Sequence, residues 1–313
     1  MQITDVKVNG IVNPLGYLLN DIRVSWKVTG SRGTKAAAAR LEAAGDPSFS
    51  RIVYTAEGPG LNNAGTVLPL VTEPRRRYYL RVTVTDDAGE TAVSDTAYFE
   101  TAKQDEPWQA VWIAPPEAET CHPLFTKRFS LAGKPASARL YISGLGLFEA
   151  ALNGRKIGAE VLTPYYSNYH DEVQYLTFDV TEQLAADNRL EIALGSGWYK
   201  GRFGLAGKAE NFGSRFMTIA ELHVRCEDGR EEVIGTDSSW LVRGSDTEAS
   251  DLYDGESQNR LLWYGRSNPD RPAVCTQAEG SLTARVSLPV LEMEDLPVRE
   301  IIHTPAGETV LDF

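Results

Sequence analysis

Short segments in which apolar and polar residues alternate recur along the chain, with glycine, asparagine, aspartate and proline between them. The clearest is YYLRVTVTDDAGE at 78–90. Its two faces carry Leu80, Val82 and Val84 on one side and Tyr79, Arg81, Thr83 and Thr85 on the other. Successive side chains of a strand point to opposite faces of a sheet, so this period of two predicts half-buried strands. Helical periodicity is scarce, and only 180–188 predicts a helical turn. The chain is therefore predicted to be all-β, built from sandwiches or barrels.

The strand pattern divides the chain into units. Residues 1–102 hold about seven short strands, with Trp26 as a predicted core residue, which is typical of an immunoglobulin-like or fibronectin-III-like sandwich. The polar stretch AKQDEP at 102–107 ends this pattern. We expect 103–116 to be a linker strand, because its segment WQAVWIAPP carries two tryptophans that suit docking against a following domain.

A second β domain is predicted at 117–284, where further alternating segments follow. Within it Asn153 and Gly154 stand between two such segments, which is the strongest short-range signal for a hairpin. The last residues, 285–313, predict the start of a third β domain. Because the chain ends at Phe313 inside an apparent strand, we expect it to continue in a longer protein.

Composition narrows the classes of partner. The net charge of −12 argues against nucleic acid and against anionic membrane surfaces, since both need clustered lysine and arginine. Cys121, Cys226 and Cys275 are far apart and odd in number, so they predict neither a disulfide framework nor a zinc site. The amino terminus lacks the basic and apolar segments of a signal peptide, and we therefore expect a cytoplasmic protein.

The most distinctive segment is GSGWYKGRFG at 195–204, which has four glycines in ten residues. Glycines permit tight turns and close approach, while Trp198 and Tyr199 can stack on a sugar ring and Arg202 can donate to its hydroxyls. The alternative is a loop whose tryptophan anchors it to the core or to a neighbouring domain. The same two interpretations apply to the segment 165–172, which contains Tyr165, Asn168 and Asp171.

The acidic residues are the candidates for catalytic chemistry. Cleavage of a glycoside needs two carboxylates that face each other across the sugar. Asp254 and Glu256 are close in sequence, but they lie in a glycine-containing turn, which predicts turn capping or a sugar contact rather than an enclosed pair with one raised pKa. We predict no catalytic residue in this chain.

Metal sites are weakly indicated, and no cofactor is predicted. Calcium prefers several oxygen ligands, which makes the neighbours Asp187 and Asn188 candidates, together with the pair Asn168 and Asp171. No EF-hand loop is present. The histidines lack metal-binding spacing, and each is assigned a surface role; they are His122, His170, His223 and His303.

Four segments carry a family resemblance, and they are GLGLFEAALNGRKIG, LTPYYSNYHDEVQYLTFDVTEQL, NRLEIALGSGWYKGRFG and DLYDGESQNRLLW. Their order and spacing resemble the amino-terminal region of bacterial α-L-rhamnosidases of glycoside hydrolase family seventy-eight. The resemblance implies a fibronectin-III-like sandwich, a jelly-roll domain like a carbohydrate-binding module at 117–284, and the start of a larger β-sandwich domain. It further implies a full-length inverting enzyme that removes terminal L-rhamnose. The acidic residues of that enzyme lie in an (α/α)6 barrel beyond this chain.

Three functions are therefore open. The first is a structural and substrate-positioning part of an α-L-rhamnosidase, inactive alone, whose partner is its own catalytic domain. The second is a stand-alone module that binds L-rhamnose or a rhamnoside, and the resemblance implies that some relatives also hold calcium on the equivalent of 117–284. The third is an unrelated adhesion or scaffold protein built from β-sandwiches.

Overall fold

The computed structural model describes residues 1–117, 121–204, 207–261 and 268–313. Strands dominate, as predicted. The segment 180–188, for which a helical turn is predicted, forms a short 3-10 turn at Thr181–Gln183. A four-residue helix, α1, spans Gly197–Lys200. None of the helices in the described ranges is long and apolar enough to cross a membrane.

Nine strands build the first domain, and in chain order they are β1 (Gln2–Val8), β2 (Leu15–Tyr17), β3 (Arg23–Thr29), β4 (Ala36–Ala44), β5 (Ile52–Gly58), β6 (Thr66–Val67), β7 (Arg77–Asp86), β8 (Thr91–Val93) and β9 (Ala97–Thr101). One sheet has the order β1-β3-β6, and the other has β2-β9-β7-β4-β5 with β8 paired to β7. Between them lies a core that includes Trp26, Val82 and Phe99. An immunoglobulin-like sandwich is thereby confirmed.

The described residues of the second domain form fifteen strands, and in chain order they are β10 (Trp112–Ala114), β11 (Pro123–Ser130), β12 (Pro135–Leu145), β13 (Leu147–Leu152), β14 (Arg155–Lys156), β15 (Glu172–Asp179), β16 (Asp187–Gly195), β17 (Met217–Cys226), β18 (Glu231–Gly235), β19 (Leu241–Gly244), β20 (Thr247–Asp251), β21 (Gly255–Gln258), β22 (Arg271–Pro272), β23 (Val274–Thr276) and β24 (Ser281–Ala284). Its larger sheet runs β23-β10-β17-β12-β15-β24, with β18 beside β17, and its smaller sheet runs β14-β13-β16-β11-β19-β22. The main core lies between these sheets and includes Phe125, Leu140 and the fully buried Trp240.

Residues 103–116, predicted to be a linker strand that docks against the following domain, contain β10. This strand lies inside the larger sheet, where Ile113 pairs with Cys275 on one side and Thr218 on the other. This part of the segment therefore belongs to the second domain. The predicted hairpin is present, because Asn153 and Gly154 both have positive φ in the turn between β13 and β14.

The last described residues form a separate hairpin of β25 (Glu300–His303) and β26 (Thr309–Asp312). Residues 286–313 are largely exposed and hold many large apolar side chains, among them Leu288, Met293, Leu296 and Phe313. Backbone bonds tie this stretch to the second domain near Val290, whose amide donates to the Tyr165 hydroxyl at 3.2 Å and whose carbonyl accepts from Val161 at 3.0 Å.

Buried charges join the first domain to the second. The Lys103 ammonium lies 2.5 Å from Glu221 Oε1, and both side chains are almost completely buried. Glu100 at the end of β9 accepts from Arg139 of β12 at 2.6 and 2.9 Å. Close backbone packing adds to these pairs, because a Cβ on Gly16 of β2 would overlap the Thr177 side chain of β15. The two domains thus share an interface that contains buried ion pairs.

Candidate functional site

The glycine-rich segment 195–204 follows β16 and folds into α1. Gly197 has a φ of +53°, and a Cβ at this position would overlap the side chain of Leu147 on β13. Gly201 ends the helix so closely above Gly197 that a Cβ there would overlap the Gly197 carbonyl oxygen. Two of the four glycines are therefore required by close packing, which explains their density in the sequence.

Three rings form what we call the aromatic platform, namely those of Tyr166, Trp198 and Phe203. The centroid of the Tyr166 ring lies 6.3 Å from that of Trp198 and 5.3 Å from that of Phe203. Phe212 and Tyr169 support Tyr166 from further sides, at 6.1 and 6.4 Å. Tyr166 remains 47% exposed despite these neighbours. The platform therefore offers an apolar face to solvent, which is what the C–H face of a sugar requires.

A charged pair continues from the platform. Arg202, next to Phe203, donates from Nη2 to Asp254 Oδ1 at 2.6 Å, and its guanidinium lies 5.7 Å from the ring centroid of Tyr253. The Arg202 amide donates to Asp251 Oδ2 at 2.7 Å. Burial would raise the pKa of Asp251, but backbone bonds from Arg202 and Tyr253 outweigh it and lower that pKa. These contacts fix the glycine-rich segment to the β20–β21 hairpin and leave donors and acceptors near the rings.

Two predicted sugar contacts are buried instead. Tyr199 is 6% exposed and packs edge-on against Tyr169, with ring centroids 5.4 Å apart. Tyr165 is 5% exposed and belongs to the main core of the second domain. Burial raises the pKa of both phenols. Neither ring therefore faces solvent, and Tyr199 packs beside Tyr169, which contacts the platform.

The remaining predicted residues lie in turns. Asn168 Nδ2 donates to Asp171 Oδ2 at 2.5 Å, and the Asn168 carbonyl accepts from the Asp171 amide at 2.9 Å. Asp254 and Glu256 flank the exposed β20–β21 turn, where Glu256 is bonded to Gln258. Neither carboxylate of this turn faces the other across an enclosed pocket. Of the DLYDGESQNRLLW segment, residues 262 and 263 lie outside the described ranges.

The calcium candidates on β16 are already bonded within the protein. Asn188 is buried, and its Oδ1 accepts from Asn153 Nδ2 and from the Ala185 amide, both at 2.9 Å, while its Nδ2 donates to the Ala185 carbonyl. Asp187 Oδ1 accepts from Ser130 at 2.6 Å. Because Asn188 has no free ligand atom, this pair does not fit a calcium site. Across the described ranges, no cluster of three or more histidine, cysteine or acidic side chains could hold a metal.

The surface role predicted for every histidine is wrong for two of them. His122 is buried, its Nδ1 lies 3.1 Å from the Leu194 carbonyl oxygen, and burial lowers its pKa. His223 is also buried, with its Nε2 2.5 Å from Glu221 Oε1. Sequence analysis missed the importance of Glu221 altogether. Its one visible signal is the spacing of two, which places Glu221 and His223 on the same face of β17.

Comparison with known proteins accounts for both domains. A family model described as a Rha78A-like N-terminal immunoglobulin domain matches residues 3–105. A second, described as the α-L-rhamnosidase N-terminal domain, matches residues 133–270.

Curated relatives point the same way. An α-L-rhamnosidase of Streptomyces avermitilis is 32% identical over 190 residues, which are 58% of this chain and 18% of that protein. An α-L-rhamnosidase of Alteromonas is 27% identical over 296 residues, which are 85% of this chain and 32% of that protein. The chain thus spans between about a fifth and a third of the length of these relatives.

Solved structures agree in fold. The α-L-rhamnosidase of Aspergillus terreus superposes with a TM-score of 0.85 at 25% identity, over 99% of this chain and 38% of that one. That of Streptomyces avermitilis, solved with L-rhamnose, superposes with a TM-score of 0.82 at 19% identity, over 99% of this chain and 48% of that one. The chain therefore belongs, over residues 3–105 and 133–270, to the families of the Rha78A-like N-terminal immunoglobulin domain and the α-L-rhamnosidase N-terminal domain.

Proposed function

We propose that this chain is a non-catalytic, substrate-positioning part of an α-L-rhamnosidase, and that its aromatic platform contacts the sugar. The observation that carries the proposal is the half-exposed Tyr166, which packs against the rings of Trp198, Phe203, Phe212 and Tyr169, while Arg202, next to Phe203 in the chain, pairs with Asp254. An apolar ring face beside fixed polar groups suits a molecule with one C–H face and a rim of hydroxyls.

The acidic residues support a role outside catalysis. The two acidic candidates, Asp254 and Glu256, are exposed side chains of a turn, and Asp254 is already paired with Arg202. An acid catalyst needs a pocket that raises its pKa, and such a pocket excludes water from the carboxyl group. The turn gives neither carboxylate that environment.

Further domains of the longer enzyme are the proposed partner. Curated relatives are longer than this chain, and residues 286–313 display apolar side chains to solvent, with Met293 86% exposed. Contiguous exposed apolar residues mark surfaces that another protein surface covers. This observation favours a second candidate function, in which the chain is a scaffold that docks the catalytic domain without touching sugar.

Calorimetric titration with L-rhamnose separates the two candidates. Substrate positioning predicts saturable binding that is about tenfold weaker in Tyr166→Ala, which corresponds to roughly 1.4 kcal/mol. Tyr54→Ala removes a half-buried tyrosine from β5 of the first domain and should leave the affinity unchanged. Repeating the titration with calcium and then with chelator shows whether a metal takes part. Absence of binding would reject the platform as a sugar contact and leave the scaffold.

A further inference from the structure

A cavity of about 520 Å³ lies at the junction of the two domains, and none of its lining residues belongs to the aromatic platform. Both domains contribute to its lining. The first supplies the three consecutive arginines Arg75, Arg76 and Arg77 at the start of β7, and the second supplies Arg139 of β12 and Arg225 of β17. Five arginines therefore meet around one space in a chain whose net charge is −12.

Only part of this positive charge is neutralised inside the protein. Arg77 and Arg139 share the carboxylate of Glu100, at 2.8 and 2.6 Å, Arg139 also pairs with Asp179 at 2.9 Å, and Arg75 pairs with Glu106 at 2.5 Å. Carboxylates therefore pair with three of the five arginines, and the cavity lining also includes the exposed side chains of Glu73 and Glu231.

Two arginines of the cavity are left to bind an anion. Arg76 is half-buried and Arg225 is exposed, and neither has an ion-pair partner among the described residues. Guanidinium groups present donors in a planar fork that matches the two oxygens of a carboxylate or a phosphate.

The floor of the cavity holds an unsatisfied donor. Tyr141 is fully buried and lines the cavity, and its hydroxyl has no hydrogen-bond partner in the part of the chain that the structure describes. A buried polar group without a partner costs free energy, so its presence calls for an explanation. Burial also raises the pKa of Tyr141, which keeps the phenol protonated as a hydrogen-bond donor.

We propose that this interdomain cavity, lined by five arginines and the unpartnered Tyr141 hydroxyl, binds a small organic oxyanion that carries a carboxylate or a phosphate. Its volume lies within the range of small-molecule sites and admits a molecule the size of a sugar acid or a sugar phosphate. Arg76 and Arg225 supply the fork, and the phenol donates to the anion. The proposal does not depend on the sugar contact proposed for the aromatic platform.

Calorimetry at low ionic strength tests the cavity with three probes: inorganic phosphate, glucuronate and neutral glucose. We expect saturable binding of phosphate, of glucuronate or of both, and none of glucose. Binding of phosphate alone identifies a phosphate site, and binding of glucuronate alone identifies a carboxylate site. The absence of binding by either anion, or equal binding of glucose, would overturn the proposal.

Variants distinguish the cavity from general surface charge. Arg76→Ala and Arg225→Ala should each lower the affinity for the anion about tenfold, as expected for loss of one charged hydrogen bond. Arg155→Ala removes the same charge from the exposed edge strand β14 and should have no effect. Tyr141→Phe deletes only the unpartnered hydroxyl, so it should weaken binding several-fold while the melting temperature is unchanged or raised. Equal losses in Arg155→Ala and in the cavity variants would contradict the proposal.

Discussion

Replacing Lys103 by methionine is the most informative perturbation of this fold. Glu221 Oε1 accepts from Lys103 Nζ and His223 Nε2, both at 2.5 Å, and its Oε2 accepts from the amides of Gln109 and Ala110 at 2.6 and 2.9 Å. Every acceptor position of this carboxylate is thus used. Lys103→Met keeps the length of the side chain but leaves the carboxylate buried without its cation.

The size of the effect follows from burial. The side chains of Lys103 and Glu221 are 1% and 0% exposed. Removing one partner of a buried ion pair costs about 3–5 kcal/mol, because the remaining charge stays desolvated. Whole domains are stable by only about 5–15 kcal/mol. Lys103→Met should therefore remove a large part of the free energy of unfolding.

Urea unfolding followed by tryptophan fluorescence measures this effect, since Trp108 lies 5.2 Å from the Lys103 ammonium. The matched control is Lys134→Met, which breaks an equally short pair with Glu227 on the surface, where the side chains are 76% and 55% exposed. That control should cost far less, because water and salt screen an exposed ion pair. If Lys103→Met costs no more than Lys134→Met, the buried pair does not stabilise the interface as argued.

The pH dependence of stability and two glycine substitutions test the same interface. Burial would raise the pKa of Glu221, but bonds from His223 and Lys103 outweigh it and lower that pKa from 4.5 to about 2. Because the folded pKa is depressed, this carboxylate should contribute about 3 kcal/mol to the free energy of unfolding above pH ~4.5, and that contribution should be lost as the pH falls toward 2. Urea unfolding curves at several pH values should show a weaker pH dependence in Glu221→Gln. Gly16→Ala, which drives a Cβ into Thr177 at a φ of +69°, should cost about 2–4 kcal/mol in the same assay. Gly10→Ala at a φ of +82° meets no atom within 4 Å and should cost only about 1–2 kcal/mol; equal losses for the two glycines would contradict the close approach of the domains.

Local patterns made the strands predictable. The alternation in β7 places Leu80, Val82 and Val84 in the core because a strand that covers a core on one face needs a period of two. Asn153-Gly154 predicted its hairpin because both residues tolerate the positive φ that the turn demands. These features depend on neighbours in sequence, which one chain displays directly.

Long-range pairing could not be predicted in the same way. Lys103 and Glu221 are 118 residues apart, and nothing in either local pattern marks them as partners. The three-residue strand β10 lies within the predicted linker strand, but its partners β17 and β23 could not be named because they are far along the chain. In and beside the aromatic platform, the sequence predicted Trp198 and Arg202 as candidate sugar contacts. It could not show that the side chain of Tyr199 points into the core.

Hydrolysis of p-nitrophenyl α-L-rhamnoside by this chain alone tests the central claim most directly. The purified chain should release no more p-nitrophenol than a mock purification, because its acidic candidates Asp254 and Glu256 are both exposed to solvent. Release above the mock control that disappears in an Asp254→Asn/Glu256→Gln double variant would contradict the account, since it would place a working pair of carboxylates in these domains.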